Sequence, residues 1–360
     1  MRVLVTGATG NVGTSVMAAL SADPDVREIV GVARRLPAAP APAKARWQQA
    51  DITSTDLVAL FRGVDTVVHL AWLIQPSRDE RVTREVNVHG SRRVFDAAVR
   101  AGVPALVQAS SVGAYAPGPV ETAVAEDWPA TGIASSYYSR QKAEVERLLD
   151  EAELAAPQMR VVRLRPALCF KGGAATGIRR LFAGPLLPNA LLRREWIGLL
   201  PYPHGLRTQA VHSDDVAEAY RLAAVRSDAR GAFNVAGEPV LDAATIGRAL
   251  QARTIQLPAG LVRAAATASW RLRLVPVSPD WLDMGMQTPI MDTTRAREQL
   301  GWRPRHGADE ALIELIDGLR TGADQPTPPL HREGSGPLRA YEFSSGVGAV
   351  DGATKGPGSV

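Results

Sequence analysis

One cysteine, Cys169, stands among 360 residues. An internal disulfide is excluded, and the usage suits a reducing cytoplasm. Lysine is nearly as scarce, at Lys44, Lys142, Lys171 and Lys355, so the basic charge is almost all arginine. The arginines are scattered, without the aromatic-interleaved cluster that a nucleic-acid surface needs. No run of eighteen apolar residues exists, so no membrane-spanning helix is expected. No charged-then-apolar leader precedes the first apolar run, so no signal peptide is expected. The six histidines do not fall at metal-ligand spacings, and no metal site is expected. The rest is ordinary: 46% hydrophobic, 22% charged, net charge +4, with length for one large or two modest domains. The expected partner is a small molecule, neither nucleic acid nor membrane.

What is present is concentrated at the start. Val3-Leu4-Val5 reads as a strand, Thr6-Gly7-Ala8-Thr9-Gly10-Asn11-Val12-Gly13 as a turn, and Val12, Val16, Ala19 and Leu20 as a helix face. Gly7 permits the tight turn, Gly10 lets a pyrophosphate approach the backbone, and Gly13 lets the helix lie close on the strand. The free N–H groups and positive end of that helix then face the phosphates. Gly7, Thr9, Gly10, Asn11, Val12 and Gly13 are thus candidate dinucleotide contacts.

Strand-type runs at 2–6, 28–33, 46–50, 65–71, 104–110 and 160–166 alternate with helix patterns at 12–22, 55–62, 80–101 and 136–155. Such alternation predicts a parallel sheet covered by helices on both faces. The character changes after Phe170. Residues 171–208 lose the alternation, and 211–235 return to strand, helix (215–227) and strand. Further helices are expected at 243–252, 259–274 and 308–320. This divides the chain into a dinucleotide-binding domain over 1–170, rejoined by 209–236, and a smaller, mainly helical substrate-binding region over 171–208 and 237–320. Residues 321–360, rich in Gly and Pro and poor in periodic apolar positions, read as a disordered tail.

Tyr138 and Lys142 are four apart on a helix and project from one face. An ammonium near a phenol favours the phenolate, which would make Tyr138 a usable proton-transfer group. Ser110 and Ser111 end the fifth strand, where ligands of doubly wound sheets bind, and a serine there can donate to a substrate oxygen.

With these motifs in place the chain, over about residues 1–320, resembles the extended short-chain dehydrogenase/reductases, the NAD-dependent epimerase/dehydratase family. Gly7, Gly10 and Gly13 match its Thr-Gly-x-x-Gly-x-x-Gly. Asp51-Ile52 matches the pair that flanks adenine, and His69-Leu70-Ala71 the fourth-strand motif beside the cofactor. Asn87 matches the asparagine that helps position the active-site helix. Ser111 takes the catalytic Ser/Thr position, Tyr138 and Lys142 the Tyr-x-x-x-Lys positions, and Arg165-Pro166 the sixth-strand end. Val211–Val216 and Leu300–Pro304 match two further segments. The resemblance implies a Rossmann-type α/β fold, with a doubly wound parallel sheet. It implies Tyr138 as general acid or base, Lys142 lowering its pKa and bonding the nicotinamide ribose, and Ser111 holding the substrate oxygen. It also implies a homodimer through the helices near 80–101 and 136–155, whose Val94, Ala97, Ala98, Val145, Leu148 and Leu149 exceed what one sheet face needs.

Where NAD-preferring proteins of this fold carry an acidic residue, this chain has Ala33, followed by Arg34 and Arg35. Two guanidiniums suit a 2′-phosphate, so NADP is favoured, with NAD open and a pair of solvated loop arginines as the plain alternative. Val112-Gly113 after Ser111 lacks the Asp-Glu of sugar dehydratases. Ala167–Phe170 lacks the epimerases' Asn and Tyr-Gly-Pro, and Thr208, with Arg207 beside it, stands where they carry an arginine. Arg179, Arg180, Arg193 and Arg194 could meet phosphates, but Leu181, Phe182, Leu186, Leu187, Leu191 and Leu192 dominate that stretch. Trp72-Leu73-Ile74 adds to an apolar pocket. The expectation is an NAD(P)-dependent oxidoreductase acting on a carbonyl or secondary alcohol of a fairly apolar molecule. Trp72, Ser111 and Tyr138 would contact the substrate. A nucleotide-sugar epimerase and a dinucleotide-sensing regulatory protein are the alternatives.

Overall fold

The computed structural model describes residues 1–75, 77–119, 121–187 and 198–332. In chain order the first elements are β1 Arg2–Thr6, α1 Asn11–Ala22, β2 Glu28–Ala33, β3 Ala45–Gln49, α2 Leu57–Phe61 and β4 Thr66–His69. They are followed by α3 Glu80–Arg84, α4 Gly90–Arg100, β5 Ala105–Ala109, α5 Tyr137–Ala155 and β6 Arg160–Pro166. Then come β7 Leu168–Phe170, α6 Ala175–Ile178, β8 Leu199–Pro203, β9 Ala210–His212, α7 Ser213–Val225 and β10 Gly231–Val235. The chain continues with α8 Ala243–Leu250, β11 Arg253–Leu257, α9 Ala259–Arg271, α10 Asp280–Gln287, α11 Thr294–Glu298 and α12 Ala308–Thr321.

Seven strands form one sheet in the order β10-β6-β5-β4-β1-β2-β3, and every pairing is parallel. The strands are apolar on both faces because helices cover both. On one face α1 and α7 pack over Val3, Val5, Val107 and Phe233. On the other, α2, α4 and α5 pack over Leu4, Val67, Leu106 and Val161. Strand order reverses between β1 and β4, and their carboxyl ends open the crevice that this fold uses for ligands.

The expected strands and helices of the first half are present, shifted by a residue or two at their ends. One differs in kind. The helix read over 80–101 is interrupted at Glu85–His89 by a π-turn, which carries Asn87. Such turns widen a helix locally and are common at functional sites.

The second half departs further. The region read as mainly helical also contains a small parallel sheet, β8 with β11, and a second, β7 with β9, forms just outside its bounds. Their strands are three to five residues long, too short to show a period. β10 pairs with β6 at the edge of the main sheet, and α7 packs on that sheet's face. Residues 322–332, read as tail, are seated on the molecule. The Thr327 hydroxyl donates to Thr9 O at 2.8 Å, Thr176 donates to Ala323 O, and Leu330 is buried. Isolated polar bonds, those of Thr176 and Arg180 to its carbonyls among them, and a single buried leucine anchor this segment, so no repeating apolar pattern announced it. Residues 333–360, the rest of that expectation, lie outside the described residues.

The apolar positions offered as a reason for dimerisation do not form an outer face. Val94, Ala97, Ala98, Val145, Leu148 and Leu149 are all buried within the chain itself. The groove left between α4 and α5 is lined by Arg92, Asp96, Arg100 and Glu151 along with Phe95 and Val99. Among the described residues no helix is long and apolar enough to cross a membrane.

Candidate active site

The glycine turn forms as its residues require. Gly7 sits at φ +69°, and a Cβ there would lie 2.7 Å from Ala71 N. A Cβ on Gly13 would lie 2.2 Å from Gly7 O, so only glycine lets α1 approach β1 this closely. Gly10 is the N-cap of α1 and has no side chain to satisfy the first-turn N–H groups. A Cβ there would meet only Gly7 O, at 3.4 Å. An uncapped helix start with open space in front of it fits a pyrophosphate. The side chain of Asn11 is spent elsewhere: it donates to Cys169 O and accepts from the Ser213 hydroxyl. Asn11 therefore offers its backbone to a ligand, while its amide ties the turn to β7 and α7. Thr9 is buried, and Val12 is partly buried against the core.

The remaining cofactor candidates ring the same crevice. Leu70 and Ala71 follow β4 and touch Gly7. Pro166 ends β6 and is buried opposite Val235. Ile52 packs on Gly90, and its carbonyl accepts from Arg93. One Asp51 carboxylate oxygen is taken by Thr53, through both N–H and hydroxyl. Arg34 and Arg35 stand exposed just past β2.

Ser111 and Tyr138 meet at the carboxyl end of β5. Ser111 is an N-cap, accepting from Gly113 N–H at 3.0 Å, and the Tyr138 ring packs on Gly113 beside it. Lys142, one turn along α5, is 3% exposed, and its Nζ donates to Ala109 O at 2.8 Å. The same Nζ lies 3.5 Å from the centre of the Trp72 ring and 5.7 Å from that of Tyr138. Asn87 donates to Leu73 O and Gln141 Oε1 and accepts from Leu73 N–H. It thereby fixes the Trp72 loop to α5 and acts as a positioning residue.

The expected lowering of the Tyr138 pKa is not seen. Burial pushes the phenol up to about 12, against the opposing bond from Ser111. The reason is geometric. Trp72 and Trp281 pack against the Tyr138 ring and leave it only partly exposed, and the ammonium is turned to Trp72 and Ala109. Burial also pulls Lys142 down to about 7, with the Glu146 carboxylate opposing it. His69 is held down to about 3 by burial and by Lys142, so it is neutral and bonds Thr6 and Ser91.

Two residues of this site were not picked out from the sequence. Trp281 of α10 packs on Tyr138, with ring centres 4.9 Å apart. The thiol of Cys169, pushed up to about 12 by burial, lies within electrostatic reach of both Lys142 and Tyr138. Both arrive through tertiary packing from short elements. Phe182 packs edge-on to Trp281. Arg179 and Arg180, the candidate phosphate donors, bond backbone carbonyls of Gly184 and of Pro329 and His331. Arg193 and Arg194, with Leu191 and Leu192, lie outside the described residues. No group of three His, Cys, Asp or Glu able to hold a metal occurs among the described residues.

Known proteins similar to this chain include a reductase and an epimerase. A reductase from a Streptomyces species, described as a 3-diazoavenalumate denitrifying reductase, is 31% identical over 327 residues. The match covers 85% of this chain and 97% of that one. A UDP-glucose 4-epimerase from Mycolicibacterium smegmatis is 27% identical, over 89% of this chain and 99% of its own. The fold is also that of the Thermus thermophilus UDP-glucose 4-epimerase solved with NAD, at a TM-score of 0.64 and 21% identity, covering 89% of this chain and 99% of that one. The model of the NAD dependent epimerase/dehydratase family matches residues 3–236. This chain is a member of that family.

Proposed function

We propose that this protein is an NADP(H)-dependent oxidoreductase acting on a carbonyl or secondary alcohol of a fairly apolar small molecule. The observation that carries the reading is the meeting of Ser111, Tyr138 and Lys142 beside an open glycine turn, under a roof of Trp72, Trp281 and Phe182. The bound dinucleotide supplies or takes up the hydride. Tyr138, protonated across the neutral range, gives its proton to the substrate oxygen in reduction and takes it back in oxidation. Ser111 holds that oxygen in line with the phenol. Lys142 would bond the ribose once Trp72 yields its Nζ. The choice of NADP rests on Ala33 and on the exposed Arg34 and Arg35 past β2. The likeness to a reductase at 31% identity supports hydride chemistry.

A second reading, nucleotide-sugar epimerisation, draws on the likeness to UDP-glucose 4-epimerase. Against it stand the carbonyl partners of Arg179 and Arg180 and the apolar roof. Turnover of ketones with NADPH, set beside turnover of UDP-glucose, separates the two. Tyr138→Phe keeps the ring and removes one oxygen. Ketone reduction should fall by about 10²–10⁴ with cofactor affinity retained. Near-normal turnover in this variant would overturn the assignment.

A further inference from the structure

Aromatic side chains are scarce here, at seven Trp, six Tyr and six Phe. Five of them, Trp72, Tyr137, Tyr138, Phe182 and Trp281, gather at one place. Trp72 meets Tyr138 edge-on at 5.7 Å, Tyr138 meets Trp281 at 4.9 Å, and Trp281 meets Phe182 edge-on at 4.9 Å. The buried Tyr137 donates to Ile74 O at 2.5 Å, two residues past Trp72. These rings come from four separate parts of the chain, so the cluster is assembled by the fold and is not a run in the sequence.

At these separations the rings touch one another. A substrate that reaches Tyr138 must part some of those contacts. Each aromatic pair stabilises the fold beyond the area it buries. An aliphatic or hydroxyl-rich ligand cannot return that energy. A planar aromatic ligand can, by slipping between the rings and taking over their edge and face contacts. Two polar side chains nearby are already engaged: an Asp280 carboxylate oxygen accepts from Tyr137 N–H, and Gln75 donates to Leu181 O and Pro276 O. The indole N–H of Trp72 is buried with no hydrogen-bond partner. It is a donor awaiting an acceptor on the ligand.

We infer that the substrate of this site is a planar aryl carbonyl compound, or the matching aryl carbinol. Its ring would sit among Trp72, Trp281 and Phe182, with its oxygen at Ser111 and Tyr138. This rests on the oxidoreductase reading and narrows it. In the reductive direction, hydride from the dinucleotide adds to the carbonyl carbon. The C=O π electrons move to oxygen, and the oxygen takes the Tyr138 proton. The ketone is reduced to the alcohol and the dinucleotide is oxidised.

The test is a matched pair of similar size, acetophenone and cyclohexyl methyl ketone, assayed with NADPH on the full chain. The wild type should favour the aryl ketone in kcat/KM. Trp281→Leu should cut that preference roughly tenfold, mainly through KM, and Trp281→Phe should restore most of it. Binding is read separately, by saturation-transfer NMR of each ketone to the protein holding NADP⁺. Equal kcat/KM for the two ketones, or a preference unmoved in Trp281→Leu, overturns the aryl assignment while the oxidoreductase reading stands. Failure to turn over any ketone, with turnover of UDP-glucose, overturns both. If acetophenone neither reacts nor binds, the aryl assignment falls on the binding measurement alone.

Discussion

Lys142 is surrounded by little that favours its charge: Ala109 O, the face of Trp72 and the Glu146 carboxylate. Its pKa in the folded protein, about 7, lies under the ordinary 10.5. Between these values the unfolded chain binds a proton that the folded chain does not. Stability therefore rises with pH across that window, and the full penalty is present below about 7. Lys142→Met should accordingly raise the melting temperature at pH 7 and flatten its pH dependence from 7 to 10. Turnover should fall at the same time. Thermal melts across that range decide it, and a lower melting temperature at pH 7 would count against the argument. Arg34 gives a second residue-level prediction. Arg34→Ala should weaken NADP binding by on the order of 1.5–3 kcal/mol and leave NAD binding alone. Titration of both cofactors checks this, and equal wild-type affinity for the two would remove the basis for an NADP preference.

At the scale of elements, the π-turn holding Asn87 sets where the Trp72 loop lies. Asn87→Ala would strip the Leu73 backbone and Gln141 Oε1 of their Asn87 partner, at about 1–3 kcal/mol for each group left buried and unsatisfied. Turnover should drop while affinity for ADP, which draws on the glycine turn and the Asp51-Ile52 end of the site, persists. Isothermal titration with ADP beside a ketone assay separates the two effects. The glycine turn, the main sheet and the Ser111–Tyr138–Lys142 set were legible because their signals are local: a strand, a turn and a helix within a few residues, or two side chains one helical turn apart. Trp281 and β8 were not. β8 pairs with β11 from a distant stretch, and α10 spans only eight residues after Pro279. Their meaning lies in partners far along the chain, which no window of sequence displays. The Tyr138 pKa failed for a related reason, since the rings that bury it come from α10 and the loop after β4.

For the molecule as a whole, residues 322–332 belong to the folded body. A variant ending at Thr321 loses the Thr327 bond to Thr9 and the burial of Leu330, whereas one ending at Arg332 keeps both. The shorter variant should melt about 3–8 °C lower, from a loss on the order of 2–3 kcal/mol. It should also bind dinucleotide more weakly, because Thr9 belongs to the glycine turn. Equal melting and equal affinity for the two variants would show that the contact carries no weight. The same bond also has a place in time. Its partners are 318 residues apart, and at ~5–20 residues per second Thr9 waits roughly 15–60 s for Thr327 to be synthesised. Throughout that interval the nascent glycine turn can have its own strand and helix but not its clasp, so a dinucleotide arriving early enters a site whose fastening has yet to be translated.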